Sequence, residues 1–181
     1  MAEFTATDFG LGASRLVAPQ VFSDPRGYLF ESYNEPKYRA LGIDHAWPQD
    51  TVSVSRRGVL RGLHCDPQMA KLVQVLHGAV YDVIVDMRAD SSTYRQWQGV
   101  ELSDRFQQQL YVPPGFAHGF LALEEGTVFQ YKFSMTWNPA REIGLRWDDP
   151  TLKIVWPLES IGGGVPMLSP KDAAAPLLAP L

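Results

Sequence analysis

The chain is short of cysteine, of long apolar runs, of positive charge and of helical periodicity, and each shortage narrows what it can be. A single cysteine, Cys65, leaves no internal disulfide and no basis for a cysteine-based zinc cluster, as suits a reducing compartment. No apolar run approaches the roughly 18 residues of a membrane span. The opening MAEFTATDFG lacks the basic flank and apolar core of a targeting peptide. Lys and Arg number 16 against 20 Asp and Glu, a net charge of -4. That balance offers no field for nucleic acid or an anionic membrane, whereas a small phosphorylated ligand needs only a few local cations. The expectation is a soluble cytoplasmic protein, with residues 1–181 forming one domain that buries its core without staples.

What the chain has in quantity is short strands. GYLFESY, TVSVS, GVLRGLH, KLVQVLHG, AVYDVIVDMR, WQGVELS, QQLYVP, GFLAL, VFQYKFSM and EIGLRW are rich in Val, Leu, Tyr and Phe. Most alternate in character, and turn residues drawn partly from 15 Gly and 14 Pro stand between them. Only EPKYRALGI, residues 35–43, has a helical rhythm, closed by Gly42. This pattern predicts an all-β antiparallel fold with little helix, of jelly-roll form. From about residue 168 the chain becomes small, apolar and proline-broken, ending KDAAAPLLAPL, and reads as an irregular strap across the body.

Polar residues interrupt the strands. GVLRGLH places Arg61 and His64 among apolar and small neighbours, where an unpaired buried charge is heavily unfavourable. Either the strand lines a wet cavity or these residues face outward. Singly, each has a bland reading: a satisfied core histidine, or a solvated lysine at a strand start for Lys71 in AKLVQV. Their accumulation points the other way. PPGFAHGF brings His118, VFQYKF brings Tyr131, and LSPKD brings Asp172, and the mouth of a small barrel is where such groups converge.

Two chemistries suit that set. Pro113 to His118 fits the P-x-G-x-x-H pattern of a cupin's second metal motif, but a metal wants three or four ligands on one wall. His64 stands without a second histidine beside it, and His45 and His77 fall in loop or turn positions, so the reading is no metal. Proton transfer fits better. Histidine takes up and returns a proton near neutral pH, an aspartate on its other nitrogen fixes the tautomer, a tyrosine supplies a proton from another direction, and Lys or Arg stabilises an enolate oxygen.

The segments DPRGYLFESYN, GVLRGLH, KLVQVLHGAVYDVIVDMRADSSTY, VPPGFAHGFLAL, FQYK, LRWDDPTLKIVWP and LSPKDAAAPLL, in this order and spacing, resemble the dTDP-4-dehydrorhamnose 3,5-epimerases. The resemblance runs from about residue 15 to the end. It implies a metal-free, cofactor-independent cupin-like jelly roll, a homodimer, and conversion of dTDP-4-dehydro-6-deoxyglucose to dTDP-4-dehydrorhamnose. It also implies roles. His64 is the general base, Asp172 its orienting partner and Tyr131 the acid on the opposite face. Arg61, Lys71 and His118 bind the substrate; Arg26 and Glu31 reach the nucleotide partly across the dimer interface; Gln49, Glu142 and Lys171 match binding positions; and Trp137 stacks on the thymine. The sequence departs from the family after the base, where HCDPQMAK is about three residues shorter and has Asp66 in place of a Gln, and at Thr136 and Trp137, which replace a pair of tyrosines. Such departures also occur in relatives acting on other 4-keto sugar nucleotides. The alternatives are therefore a C3-only epimerase, a ketoisomerase, a non-catalytic sugar-nucleotide-binding module or a metal-dependent oxygenase.

Overall fold

In the computed structural model, which describes residues 4–179, the alternating segments pair into two facing antiparallel sheets. One has six strands in the order β1 (Thr5–Asp8), β2 (Arg15–Ala18), β10 (Gln109–Val112), β7 (Lys71–His77), β12 (Thr127–Phe133) and β5 (Gln49–Ser55). The other has five: β13 (Ile143–Gly144), β6 (Leu60–Cys65), β11 (Phe116–Ala122), β8 (Ala79–Asp86) and β9 (Trp97–Ser103). β3 (Val21–Asp24) and β4 (Gly27–Phe30) form a separate hairpin. The chain is thus the all-β jelly-roll sandwich that its alternation predicts.

Between the sheets, Val73, Val75, Leu110 and Phe129 meet Val80, Ile84, Leu102, Phe116 and Phe120 in one buried cluster. Each large side chain buried there contributes about 1.5–3 kcal/mol, so this layer sets the sheet spacing. The cluster fills only part of the interior. Across the β7–β12 ladder the inward pairs are Lys71 with Phe133, Tyr131 with Val73, and Phe129 with Val75. Apolar pairs therefore give way to polar ones toward one end of the sandwich, and a cavity opens there.

Both outer faces are partly covered. Helix α1 (Glu35–Ala40) packs Tyr38 on Val17, Leu72 and Tyr111 of the six-stranded sheet. Its start is capped by the Asn34 side chain, which accepts from the Lys37 N–H, with Pro36 in the first turn. The C-terminal third covers the other sheet, with Leu145, Leu152 and Trp156 seated on Leu60, Leu63, Val83 and Leu121, and Leu168 and Leu178 packed against them.

The structure corrects the sequence reading locally. The helix spans Glu35–Ala40 with Leu41 as its cap; Gly42, read as its stop, follows at φ +79°, and Ile43 lies outside the helix. β1, β2 and β3 lie outside the segments marked by alternation; they are four residues each, β1 and β3 are mostly exposed and β2 buries fully only Val17, so no hydrophobic face announces them. EIGLRW pairs as a strand only at Ile143–Gly144. The C-terminal segment is not wholly irregular: Ser169 caps a single helical turn, α2 (Pro170–Ala173). Among the described residues no helix is long and apolar enough to cross a membrane.

Candidate active site

The problem set by β6 is one of parity. Side chains three apart on a regular strand point to opposite faces, yet Arg61 and His64 both line the cavity. The solution is an irregularity at Gly62. In the β6–β11 ladder His64 pairs with His118 and Arg61 with Phe120, so three steps on β6 match two on β11. That is a β-bulge, and Gly62 sits in it at φ +128°. A Cβ on Gly62 would lie 2.5 Å from the Gly119 Cα, so backbone approach as well as φ demands glycine. Leu63 and Cys65 remain on the outer, apolar face, and burial there pushes the Cys65 thiol up to about 11.

His64 projects into a cavity of about 410 Å³, within the range of small-molecule sites. Its Nε2 lies 2.6 Å from Oδ1 of Asp172, and the His64 side chain keeps 27% of its surface accessible while that of Asp172 keeps 7%. Asp172 is delivered by the strap. Ser169 caps α2 by accepting from the Asp172 N–H at 3.0 Å, which fixes the turn that aims the carboxylate at β6. Burial raises the Asp172 pKa, but hydrogen bonds from His64 and Ser169 outweigh it and hold the carboxyl below its usual range. The carboxylate is thus kept ionised beside the ring, with His64 left to face the cavity through its other side.

The opposite wall is β12 and β5. Tyr131 pairs with Thr51 and Phe129 with Ser53, which sets Gln49, Thr51 and Ser53 on the tyrosine's face. Burial drives the Tyr131 phenol pKa well above its ordinary value, so it holds its proton at neutral pH. Arg61 reaches across to this wall, donating from Nε to the Ser55 hydroxyl at 3.1 Å and from its terminal nitrogen to the Val54 carbonyl at 3.2 Å.

Lys71 and His118 form the floor. Lys71 is 8% exposed, donates from Nζ to the His64 carbonyl at 3.1 Å, and has no carboxylate within ion-pair distance among the described residues. Burial lowers its pKa, since desolvation disfavours the ammonium. His118 faces Asp82, with Nε2 3.0 Å from each carboxylate oxygen and both residues buried. Burial lowers the His118 pKa and raises that of Asp82, each against the pull of the other.

At the rim, the Trp137 backbone N–H donates to Gln49 Oε1 at 2.8 Å and its indole N–H to Glu142 Oε2 at 2.9 Å. The Lys171 ammonium pairs with Glu142 outside the cavity. Burial raises the Glu142 pKa, but the hydrogen bonds from Lys171 and Trp137 prevail and lower it. Arg26 and Glu31 are not brought to this cavity. Arg26 pairs with Asp24 on the exposed hairpin, and Glu31 pairs with Lys37. Sequence reasoning missed Asp82, Ser53, Met69 and Phe133, and marked Asp66 only as a departure from the family pattern. Asp82 had a signal: in AVYDVIVD it is a carboxylate inside an apolar strand, the same anomaly that marks Arg61 and His64. Among the described residues no three His, Cys, Asp or Glu side chains gather as a metal-binding group.

Comparison with known proteins converges on one group. Residues 11–180 match the family profile described as dTDP-4-dehydrorhamnose 3,5-epimerase. The curated enzyme of that name from Pseudomonas aeruginosa is 46% identical over 160 residues, covering 87% of this chain and 86% of its own. That from Methanothermobacter thermautotrophicus is 42% identical over 163 residues, covering 89% of this chain and 88% of its own. Among solved structures, a dTDP-6-deoxy-D-glucose-3,5-epimerase from Legionella pneumophila in complex with dTDP-4-keto-L-rhamnose superposes with a TM-score of 0.91 at 41% identity, over 97% of this chain and 93% of its own. With profile, sequence and fold agreeing over nearly the whole length, the chain belongs to the dTDP-4-dehydrorhamnose 3,5-epimerase family of isomerases.

Proposed function

We propose that the protein epimerises dTDP-4-dehydro-6-deoxyglucose at C3 and C5 to give dTDP-4-dehydrorhamnose. Both carbons flank the C4 ketone, so removal of either proton leaves an enolate and the reaction is redox-neutral. His64 takes the proton onto its ring nitrogen, the C–H electrons pass to the ketone oxygen, and Asp172 stabilises the imidazolium. Lys71, buried without a counter-ion, is suited to the enolate oxygen, because a preorganised cation acts most strongly where water is excluded. Tyr131 returns a proton from the other side, and configuration inverts. The observation that supports this reading is that His64 on β6 and Tyr131 on β12 belong to opposite sheets and line one cavity. Arg61 serves the phosphates, with Gln49 and Trp137 holding the base.

The test is proton NMR of the substrate in deuterium oxide with the purified protein. Loss of both C3 and C5 signals with formation of the rhamno product is expected. Retention of C5 would indicate a single-carbon epimerase or a ketoisomerase, and retention of both would overturn the reading.

We further infer a homodimer. The β3–β4 hairpin leaves Phe22, Tyr28 and Leu29 exposed, and Val52 and Val54 of the edge strand β5 are likewise open. A symmetric partner would cover these surfaces and carry its Arg26 and Glu31 to the neighbouring cavity rim. Light scattering is expected to give twice the chain mass, and a monomer would contradict it. The nucleotide-sugar substrate and the free Cys65 thiol support a cytoplasmic setting.

A further inference from the structure

The shortened turn after the base contains a buried ion pair that the reaction does not use. Asp66, 4% exposed, accepts from Arg141 Nε at 3.0 Å. Its other oxygen caps the turn by accepting from the Gln68 N–H at 3.0 Å, so the carboxylate is anchored to the segment directly following His64. Arg141 is only partly covered, with 32% of its side chain accessible, and a terminal nitrogen donates to the Thr136 carbonyl at 3.1 Å. Thr136 directly precedes Trp137, whose backbone and indole N–H groups are taken by Gln49 and Glu142. The loop bearing the rim aromatic is thus held at its back by Arg141, and Arg141 is held by Asp66.

We propose that Asp66 and Arg141 are positioning residues for the nucleotide end of the cavity: the pair latches the 134–142 loop to the turn after His64 and so sets the Trp137 ring in the place where it meets a base. The inference rests on the reading of the substrate as a dTDP-sugar. It assigns neither residue a contact with the reacting carbons. A planar guanidinium that bridges a carboxylate and a carbonyl is a fixed fork, which lysine does not reproduce.

The test compares Arg141→Gln and Asp66→Asn with the unsubstituted protein in dTDP binding by calorimetry and in steady-state epimerisation, with melting temperatures measured alongside. Either substitution is expected to weaken dTDP binding about tenfold and to raise KM in proportion, with kcat for Arg141→Gln changed less than twofold. In the Trp137→Ala background, Arg141→Gln is expected to weaken dTDP binding less than twofold further, since the latch acts through that ring. Undiminished dTDP affinity in both variants overturns the latch. So does a loss that adds in full to that of Trp137→Ala, or a fall confined to kcat. If the unsubstituted protein binds no dTDP, the substrate reading fails and the latch with it; if it binds and turns over while the variants match it, the latch alone fails.

Discussion

Two histidine–aspartate pairs present their histidines to the same cavity, and the rings occupy partnered positions: His64 and His118 stand directly opposite one another on β6 and β11. Their residue types are identical and their surroundings are not. His64 retains 27% of its side-chain surface and is backed by a carboxylate that its hydrogen bonds keep below the usual range. The His118 side chain retains 3%, and its aspartate none. A ring that must collect a proton and release it to solvent needs the first environment. A ring buried at the cavity floor beside Lys71, and held by a fully buried aspartate, carries its protonation state as part of the fold. The difference teaches that greater exposure, and delivery of the carboxylate by a separate strap, set the proposed base apart from a buried polar pair.

Substitutions sharpen that contrast, the largest expected effect coming from Tyr131, the proposed acid, which lines the cavity with both histidines. Tyr131→Phe is expected to lower product formation by about 10²–10⁴-fold, the range for loss of a general acid, while dTDP binding measured by calorimetry stays within twofold. Asp172→Asn leaves the His64 ring in place without its charge partner; kcat is expected to fall about 100-fold in the same assay, with KM little changed. For the sealed pair the effect moves from rate to stability. His118→Phe strands Asp82 in a fully buried site, and urea unfolding is expected to show a loss of about 3–5 kcal/mol. The smallest effect is in acid. Because the folded pKa of Asp172 is depressed, its contribution is present above the unfolded value of about 3.9 and is lost as pH falls through the folded value. Urea midpoints between pH 6 and pH 3 are expected to decline less steeply in Asp172→Asn than in the unsubstituted protein.

The same contrast accounts for what was legible in the sequence. Arg61 and His64 announce a cavity because a polar or charged group in an apolar strand is stable only where water or a partner meets it, and Gly62 between them marks the bulge that turns both inward. Their meeting with Asp172 was not legible from spacing. The partners His64 and Asp172 are 108 residues apart, and the carboxylate arrives on one helical turn in a segment whose composition reads as a strap. Resemblance to the family supplied that link. Asp82 carried the same anomaly, a carboxylate inside an apolar strand, but what satisfies it was not legible, because its partner lies 36 residues on, across a β ladder. The strands β1 and β3 escaped because exposed four-residue segments carry no alternating face, and β2 because its four residues bury only Val17 fully. The ion pair of Asp66 with Arg141 spans 75 residues and joins two loops, where sequence patterns hold least information.

The most direct test of the account is proton NMR in deuterium oxide of dTDP-4-dehydro-6-deoxyglucose with His64→Ala and with His118→Phe, each at a temperature where circular dichroism shows it folded. The account predicts that His64→Ala leaves the C3 and C5 signals intact while His118→Phe still exchanges them; exchange that persists in His64→Ala and disappears in His118→Phe would contradict it, by placing the base in the sealed pair.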